Sequence, residues 1–365
     1  MVFSTLFTIF AMVSHVEAQN NNFELSREFP LSEEVQQEED NIPFVIENIT
    51  NSVVGLVSSL TAESATGVNP EFDGSGFVYD KEGRILHIVT AEHVVSGLEN
   101  EPFYAYFQDG SRYIAKVIGT DPIADIAVLQ IIWNATRPLE PVAIGNSSNL
   151  KVGEEVLAIG SPYLSTQSFV NLVTNGIISK LGDEILLSSE TISPPILNAI
   201  VTNAPVAGGN SGGPLLNNRG LVIGMVLAGD DGVPCCTYGV PSNTISRVVP
   251  VLIETGGYAH PWIGLTVTTL NANQEVRELI PENIQGAIVY DIVRDGPSHK
   301  AGLRGLAVNE FSEQEVGDII MAVDGRPVET ADEFDAVIDE HSVGDVVNLR
   351  LFRNGAIQDV MVTLE

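Results

Sequence analysis

The segment Gly208–Leu215 reads GGNSGGPL and holds a single hydroxyl, that of Ser211, in a turn rich in glycine. Residues without a Cβ atom allow adjacent peptide planes to direct their N–H groups at one point, which is what a developing oxyanion requires. We therefore interpret Ser211 as the candidate nucleophile of a serine hydrolase. The amides of Gly209 and Ser211 are the candidate oxyanion donors.

Two segments upstream of this turn supply the partners that a reactive serine needs. Ile88–Val95 reads IVTAEHVV, a strand pattern that ends at His93, and Asp121–Leu129 reads DPIADIAVL, in which Asp125 opens an apolar run. A serine hydroxyl is a weak nucleophile until an imidazole removes its proton, and a buried carboxylate must hold that imidazole in one tautomer. His93 is thus the candidate general base, and Asp125 is the residue that orients it.

The same turn also matches the G-x-S-x-G nucleophile elbow of α/β-hydrolases. That elbow is followed at once by a helix, and its acid and histidine lie downstream of the serine. Here Gly212–Pro214 follows Ser211 and opposes a helix start, and both candidate partners lie upstream. The order His, Asp, Ser along the chain is that of chymotrypsin, so a β-barrel protease is favoured over an esterase.

The pattern of apolar residues divides the 365-residue chain into two predicted domains. From residue 42 to 256, short runs of β-branched and aliphatic residues alternate with Gly, Asn, Asp and Pro, as in a β-barrel or sandwich. From residue 257 to 365, strand patterns surround one helix, which a capping box of Thr330 and Glu333 opens and whose apolar face contains Phe334. Residues 19–41 are acidic and lack an apolar period, so we predict a flexible linker there.

Residues 1–18 are predicted to direct the chain out of the cytoplasm. The run from Val2 to Val13 is apolar, and Val16, Glu17 and Ala18 approximate the small-x-small pattern that signal peptidases cleave after. Because no Lys or Arg precedes the apolar run, an uncleaved N-terminal anchor is the alternative. The expected location is extracytoplasmic: periplasmic, at the cell surface or secreted.

The net charge and the cysteines of the chain argue against anionic partners and against a zinc site. Lys and Arg total 17 and Asp and Glu total 48, and the net charge of −31 disfavours nucleic acid and anionic membranes as partners. Cys235 and Cys236 are adjacent, and neighbouring Cα atoms about 3.8 Å apart are too close for an ordinary disulfide. Two cysteines are also too few for a Cys-based zinc site, so we expect free thiols.

Together with Gly74–Phe77 (GSGF) and Val240–Asn243 (VPSN), these segments resemble the HtrA (DegP/DegQ/DegS) family of trypsin-like serine proteases. The likeness covers roughly residues 42 to 365. It implies a mainly β fold, with a chymotrypsin-like double β-barrel protease domain at 42–256 followed by an α+β PDZ domain at 257–365. It also implies a homotrimer or a multiple of it, and cleavage of unfolded or damaged polypeptides without ATP, metal or organic cofactor.

The resemblance also carries roles for individual residues. It assigns the catalytic triad to His93, Asp125 and Ser211. It implies that the strand that binds substrate is formed by Val226, Leu227 and Ala228. It also implies that the loop that binds peptide C-termini is formed by Trp262, Ile263, Gly264 and Leu265. Because no acid is evident at the base of the specificity pocket, the resemblance favours a small or medium aliphatic side chain at P1, the substrate residue before the cleaved bond.

Several features depart from the pattern of that family. Glu92 stands beside His93, and its carboxylate would raise the pKa of the imidazole and shift activity to higher pH. Gly208 and Asn203 replace residues that would restrain the nucleophile turn, so an activator is expected to order it. The stretch from Leu306 to Glu315 has the character of an insertion. A redox effect of the cysteine pair on activity is a hypothesis, with an accidental pair as the alternative.

Two classes of function therefore remain at this stage. The first is an exported serine endopeptidase that works through an acyl-enzyme. The second is a chaperone or peptide-sensing scaffold whose triad is rarely engaged.

Overall fold

The computed structural model of the chain describes residues 42–58, 72–98, 100–164, 167–168, 170–185, 196–229, 236–272, 274–308 and 314–365. These residues form two closed six-stranded β-barrels and a separate sheet domain with short helices. The predicted mainly β fold, a double barrel followed by an α+β domain, is confirmed. The predicted export signal, the predicted acidic linker and Cys235 lie outside the described residues.

The first barrel closes because its first strand pairs with two neighbours, β2 on one side and β4 on the other. The spatial order of its strands is β1-β2-β3-β6-β5-β4. Apolar side chains at alternate positions, such as Phe103 and Ala105 of β4, enter the barrel and are buried. The strands are β1 (Val53–Ser58), β2 (Gly74–Glu82), β3 (Ile85–Thr90), β4 (Phe103–Tyr106), β5 (Arg112–Asp121) and β6 (Ile126–Ile132).

The second barrel has the strand order β10-β11-β14-β13-β12-β7. Its strands are β7 (Glu155–Gly160), β10 (Leu172–Ile185), β11 (Ile196–Thr202), β12 (Pro214–Leu216), β13 (Val222–Gly229) and β14 (Thr237–Pro241). A small hairpin of β8 (Tyr163–Leu164) and β9 (Gln167–Ser168) lies between β7 and β10 in the chain. Strand β12 directly follows the nucleophile turn, so the helix that an α/β-hydrolase elbow requires is absent at this place in the described chain.

Among the described residues, three α-helices accompany the barrels. Helix α1 (Ile42–Ile49) buries Val45, helix α2 (Glu92–Val95) follows β3, and helix α3 (Ser242–Thr255) follows β14. Helix α3 ends where Gly256 adopts a φ of 83° and donates its N–H to the carbonyl of Leu252, the left-handed conformation that glycine accepts most readily. Short 3₁₀ turns lie at Thr50–Ser52 and Ser147–Asn149.

The C-terminal domain is a sheet whose main order is β15-β16-β19-β21-β22, so β15 is an edge strand. The strands are β15 (Leu265–Thr269), β16 (Ala287–Ile292), β17 (Ala307–Val308), β18 (Gln314–Glu315), β19 (Ile319–Val323), β20 (Arg326–Pro327), β21 (Val346–Arg353) and β22 (Ala356–Thr363). The helices are the 3₁₀ turn Leu270–Ala272, α4 (Gln274–Arg277), α5 (Pro297–Lys300) and α6 (Ala331–Asp339).

Helix α6 begins with the predicted capping box. The Thr330 side chain accepts the N–H of Glu333, and the Glu333 carboxylate accepts the N–H of Thr330. Phe334, Val337 and Ile338 are buried against the sheet, which confirms the predicted apolar face. In the predicted insertion, β17 and β18 form a short ribbon, and residues 309–313 between them lie outside the described part.

The two domains are in contact through charged residues. The Arg247 guanidinium on α3 binds the Asp339 side chain at the end of α6, with 2.6 Å between Nη2 and Oδ2. Helix α6 also lies close to β10 and β11 of the second barrel. Within the described ranges, every helix falls short of the length and apolarity that crossing a bilayer requires.

Candidate active site

A hydrogen bond connects the His93 ring with the buried carboxylate of Asp125. The imidazole Nδ1 lies 2.7 Å from Oδ2 of Asp125, and the other carboxylate oxygen accepts the backbone N–H of His93 at 2.8 Å. The Asp125 side chain is 3% exposed and the His93 side chain is 20% exposed. One carboxylate therefore fixes both the main chain and the ring of His93, which places hydrogen on Nδ1 and leaves Nε2 as the basic nitrogen.

Local structure explains how Asp125 reaches this position. Asp121 closes β5, and its Oδ1 accepts the N–H groups of Ile123 and Ala124, so the carboxylate caps a tight turn. Asp125 follows in the left-handed region with a φ of 52°, which aspartate tolerates better than most residues. The turn thereby points the Asp125 side chain back at helix α2, which begins at the end of β3.

The turn that carries Ser211 docks tightly on β2 of the first barrel. Gly209 and Gly212 have φ values of 95° and 86°. A Cβ atom at Gly212 would lie 2.2 Å from the carbonyl oxygen of Ser75, so only glycine fits there. The N–H of Ser75 donates to the carbonyl of Ser211 at 2.8 Å, and a Cβ atom at Gly74 would touch both that carbonyl and the side chain of Val94. Ser211 therefore lies beside the helix that bears His93.

The Ser211 hydroxyl is bound to the main chain of β13. Its Oγ donates to the carbonyl oxygen of Leu227 at 2.7 Å. Among the described residues, no hydrogen bond joins Ser211 to His93. The structure thus pairs two of the three candidate triad residues and places the third beside them, and rotation about the Cα–Cβ bond of Ser211 would redirect its hydroxyl.

Two amides of the turn remain available to an anion. Within the described part of the chain, the N–H groups of Gly209 and Ser211 donate to no protein acceptor. The intervening N–H of Asn210 donates to Ala207 at 3.0 Å, and the N–H of Gly212 donates to Val226 at 2.8 Å. The unpaired amides therefore flank one residue, an arrangement that suits an oxyanion.

The candidate substrate strand is part of β13. Val226 and Leu227 are buried, and Val226 exchanges backbone hydrogen bonds of 2.8 Å with Gly212 and Gly213. The Leu227 carbonyl accepts the Ser211 hydroxyl, and Ala228 pairs with Tyr238 of β14. The main chain of Val226 is thus occupied by the nucleophile turn. The first acceptor that a substrate strand could use is the Leu227 carbonyl.

Ser75 is a residue of this site to which the sequence assigned no role. It is fully buried, and its Oγ donates to the Gly209 carbonyl at 2.6 Å while accepting the N–H of Ser161 at 2.7 Å. Together with its N–H bond to Ser211, this hydroxyl fixes the chain on both sides of Asn210. The GSGF segment drew attention to this part of the sequence. It did not indicate the contact itself, because Ser75 and Gly209 are 134 residues apart.

The charge state of His93 reflects opposing effects. Burial lowers the pKa of the imidazole, whereas the hydrogen bond and charge of Asp125 and then the charge of Glu92 raise it. The net effect is a pKa above the ordinary value of 6.5. Glu92 is itself buried, at 9% exposure, so its charge is poorly screened.

The candidate peptide loop of the C-terminal domain directs its carbonyls inward. The Ile263 carbonyl accepts the N–H and the hydroxyl of Ser298, and the Gly264 carbonyl accepts the N–H of Val293. The N–H of Trp262 is engaged with the carbonyl of Glu365, so this amide is occupied. In the described structure the amides of Ile263 and Gly264 have no protein acceptor. Leu265 begins the edge strand β15, which lies close to α6.

Two further predictions concern metals and cysteines. Within the described residues, no group of three His, Cys, Asp or Glu side chains is placed to hold a metal ion. Cys236 is half-buried. Its neighbour Cys235 lies outside the described residues, so the redox hypothesis stays a prediction.

Comparison with known proteins agrees with this architecture. Residues 74–225 match the family model of the trypsin-like peptidase domain, and residues 261–364 match that of the PDZ domain. The chain is 33% identical over 326 residues to Protease Do-like 1, chloroplastic, of Arabidopsis thaliana, covering 87% of this chain and 70% of that protein. It is also 33% identical over 329 residues to Serine protease Do-like HtrA of Lactobacillus helveticus, covering 87% of this chain and 75% of that protein.

Two further similarities are informative. Probable periplasmic serine endoprotease DegP-like of Pseudomonas fulva (strain 12-X) is 33% identical over 295 residues, which cover 80% of this chain and 55% of that protein. The solved structure of the HtrA-type protease AlgW with a tripeptide superposes with a TM-score of 0.66, at 24% identity, over 88% of this chain and 96% of that one.

The double barrel and the sheet domain behind it define the class of the molecule: a trypsin-like serine endopeptidase with one PDZ domain. The family follows from the 33% identity with two Do-like proteases, over 70% and 75% of their lengths. The chain belongs to the HtrA family of serine proteases.

Proposed function

We propose that this chain is an exported, ATP-independent endopeptidase of unfolded or damaged polypeptides, with His93, Asp125 and Ser211 as its catalytic triad. The observation that carries the assignment is the buried His93–Asp125 pair beside a glycine turn that contains Ser211 and two unpaired amides. The name of the periplasmic DegP-like relative supports a location outside the cytoplasm. Assembly as a homotrimer, residues 42–256 as protease domain and residues 257–365 as PDZ domain are parts of the same proposal.

The chemistry follows from the positions of the side chains. Ser211 Oγ attacks the carbonyl carbon of the scissile peptide, and its proton passes to Nε2 of His93. The carbonyl oxygen becomes an anion, which the amides of Gly209 and Ser211 stabilise. His93 then gives the proton to the leaving amine, and an ester remains on Ser211. Water, deprotonated by His93, then attacks this ester; the bond between the acyl carbon and Ser211 Oγ breaks, Oγ takes the proton back from His93, and the new C-terminus is released.

The PDZ domain is proposed to bind peptide C-termini. The free amides of Ile263 and Gly264 would hold the terminal carboxylate, and the peptide would add as a strand between the open edge of β15 and α6. The strand segment of Val226, Leu227 and Ala228 is proposed to form the edge that meets the substrate, where the Leu227 carbonyl would accept an N–H of the substrate once the Ser211 hydroxyl turns to His93.

A second candidate function has one specific observation in its favour. The Ser211 hydroxyl binds Leu227 and not His93, as expected of a peptide-sensing scaffold or chaperone with a rarely engaged triad. Labelling with a fluorophosphonate distinguishes the two, because only an activated serine reacts. We expect labelling at Ser211 that accelerates with peptides bearing hydrophobic C-termini. Absence of labelling under every peptide condition would favour the scaffold.

Activity is expected to rise with pH as His93 loses its proton. Because Asp125 and Glu92 outweigh burial, the midpoint of the acid limb of kcat/KM should lie above 6.5. Replacing Glu92 with Gln removes one of the charges that raise the pKa and should move the limb to lower pH. The matched control is Glu82→Gln at the far end of β2, which should leave the limb in place. An unchanged limb in the Glu92 variant would contradict this account.

Removing the Ser75 hydroxyl should loosen the oxyanion turn. Ser75→Ala leaves the Gly209 carbonyl and the Ser161 amide without their partner. We expect kcat to fall by about 10²-fold with KM little changed, as when an oxyanion donor is lost. Ser52→Ala is the control, because Ser52 is also buried and also donates to a backbone carbonyl, that of Glu140, at 2.6 Å. Ser52→Ala should lower the melting temperature as much as Ser75→Ala does but should preserve kcat. If the two variants lost kcat equally, the role of Ser75 would be refuted.

A further inference from the structure

His260 bridges the two domains through both nitrogens of its ring. Nε2 lies 2.9 Å from Oδ2 and 3.0 Å from Oδ1 of Asp121, at the end of β5 in the first barrel. Nδ1 lies 2.9 Å from Oδ1 of Asp339, at the end of helix α6. The imidazole therefore connects a barrel strand to the helix beside the open edge of the PDZ sheet.

The surroundings of this ring favour its protonated form. Burial lowers the pKa of His260, but the hydrogen bonds and charges of Asp121 and Asp339 outweigh that effect and raise it to about 9. The other groups around the ring are the Arg247 guanidinium, which also binds Asp339, and the Tyr258 ring, which packs edge-on with 4.8 Å between centroids. A protonated ring donates from both nitrogens, as two carboxylate acceptors require.

Asp121 connects this bridge to the catalytic apparatus. Its side chain is 2% exposed, and a buried carboxylate needs charged partners to stay in place. The same carboxylate caps the turn that ends at Asp125, through the N–H groups of Ile123 and Ala124. This five-residue turn is thus held at one end by His260 and at the other by the bond between Asp125 and His93.

We propose that His260 is a positioning residue of the active site, which holds the Asp121–Asp125 turn so that the Asp125 carboxylate keeps the orientation His93 requires. The inference rests on the proposed function, in which Asp125 orients the general base. It goes beyond that function because it assigns to His260, which lies outside the triad, the task of keeping Asp125 in place. Catalysis then depends on how α6 of the PDZ domain docks against the barrels.

The test compares variants of the full chain in kcat, KM and the pH profile of kcat/KM on a chromogenic peptide. His260→Gln removes the charge and one of the two bonds. We expect kcat to fall about tenfold, the size of effect that a small misplacement of a reacting group produces. KM should stay within about twofold, because substrate contacts are untouched. The acid limb should move to lower pH, because a weaker Asp125 bond lowers the pKa of His93.

His341→Gln is the matched control. Like His260, His341 is bound through both ring nitrogens, here to the Val337 carbonyl at 2.9 Å and the Asp324 carboxylate at 3.0 Å, but both partners lie within the PDZ domain. This variant should lose stability and keep kcat and the acid limb. His260→Arg, which retains a positive charge and can donate in two directions, should restore most of the kcat lost in His260→Gln.

The outcomes separate this inference from the proposed function. If the parental chain is labelled at Ser211 and His260→Gln matches His341→Gln in kcat and pH profile, the positioning role is wrong and the triad stands. If His260→Arg is as impaired as His260→Gln, the charged bridge is likewise refuted. If the parental chain is never labelled, the proposed function fails and the inference fails with it.

Discussion

Ser211→Ala is expected to abolish proteolysis by the chain while leaving its fold intact. Removing the nucleophile of a serine protease triad lowers kcat by roughly 10⁶-fold, and the remaining rate comes from substrate binding and the oxyanion amides. The Ser211 side chain is half-buried, and its hydroxyl donates one hydrogen bond, to the Leu227 carbonyl. Losing it should change the free energy of unfolding by no more than about 1 kcal/mol.

The measurement is cleavage of casein, together with fluorophosphonate labelling and thermal unfolding. Ser96→Ala is a suitable control, because Ser96 is exposed at the end of the helix that bears His93. It should cleave casein at the parental rate. Cleavage by Ser211→Ala at more than about a thousandth of the parental rate would place the chemistry elsewhere.

Asp125→Asn is expected to lower kcat by roughly 10⁴-fold, the effect of this change in a serine protease triad. Asp125 accepts from both the ring and the backbone of His93, at 2.7 and 2.8 Å. An amide can serve only one of these donors with its oxygen, and its NH₂ group favours the wrong tautomer of the ring. The charge that raises the pKa of His93 is lost as well, so the residual activity should have its acid limb at lower pH.

The change is tested by kcat/KM measured against pH and by circular dichroism. Asp109→Asn serves as the control, because Asp109 also accepts a backbone N–H, that of Ser111, and a side-chain N–H, that of Arg137, but lies on the surface of the first barrel. Its kcat should be unchanged. A fall of less than about tenfold in Asp125→Asn, with the fold intact, would show that another group orients His93.

Local patterns explain why much of the architecture could be predicted. The capping box of Thr330 and Glu333 lies within four residues and needs no distant partner. The glycines at 209 and 212 adopt positive φ values that their own chemistry permits. Alternating apolar residues and turn residues likewise indicate strands, because one face of each strand must be buried. The domain boundaries remain predictions.

The roles of two residues could not be read from the chain. Ser75 reaches the nucleophile turn across 134 residues, and His260 reaches Asp121 across 139. Ser75 belongs to the GSGF segment, which supports the family resemblance but does not indicate this contact, and His260 belongs to none of the segments that the sequence analysis singled out. The orientation of the Ser211 hydroxyl toward Leu227 was equally inaccessible, because it depends on how the turn packs between the two barrels.

The sequence alone determined the strand-rich architecture and the identity of the three candidate triad residues, because strand periodicity and the chemistry of an alcohol, an imidazole and a carboxylate are properties of short segments. Only the tertiary structure decided that His93 is paired with Asp125, that the Ser211 hydroxyl is bound to Leu227 and that His260 is bound to Asp121. These contacts join positions that are 32, 16 and 139 residues apart along the chain, respectively, and barrel closure and domain docking bring them within hydrogen-bonding distance.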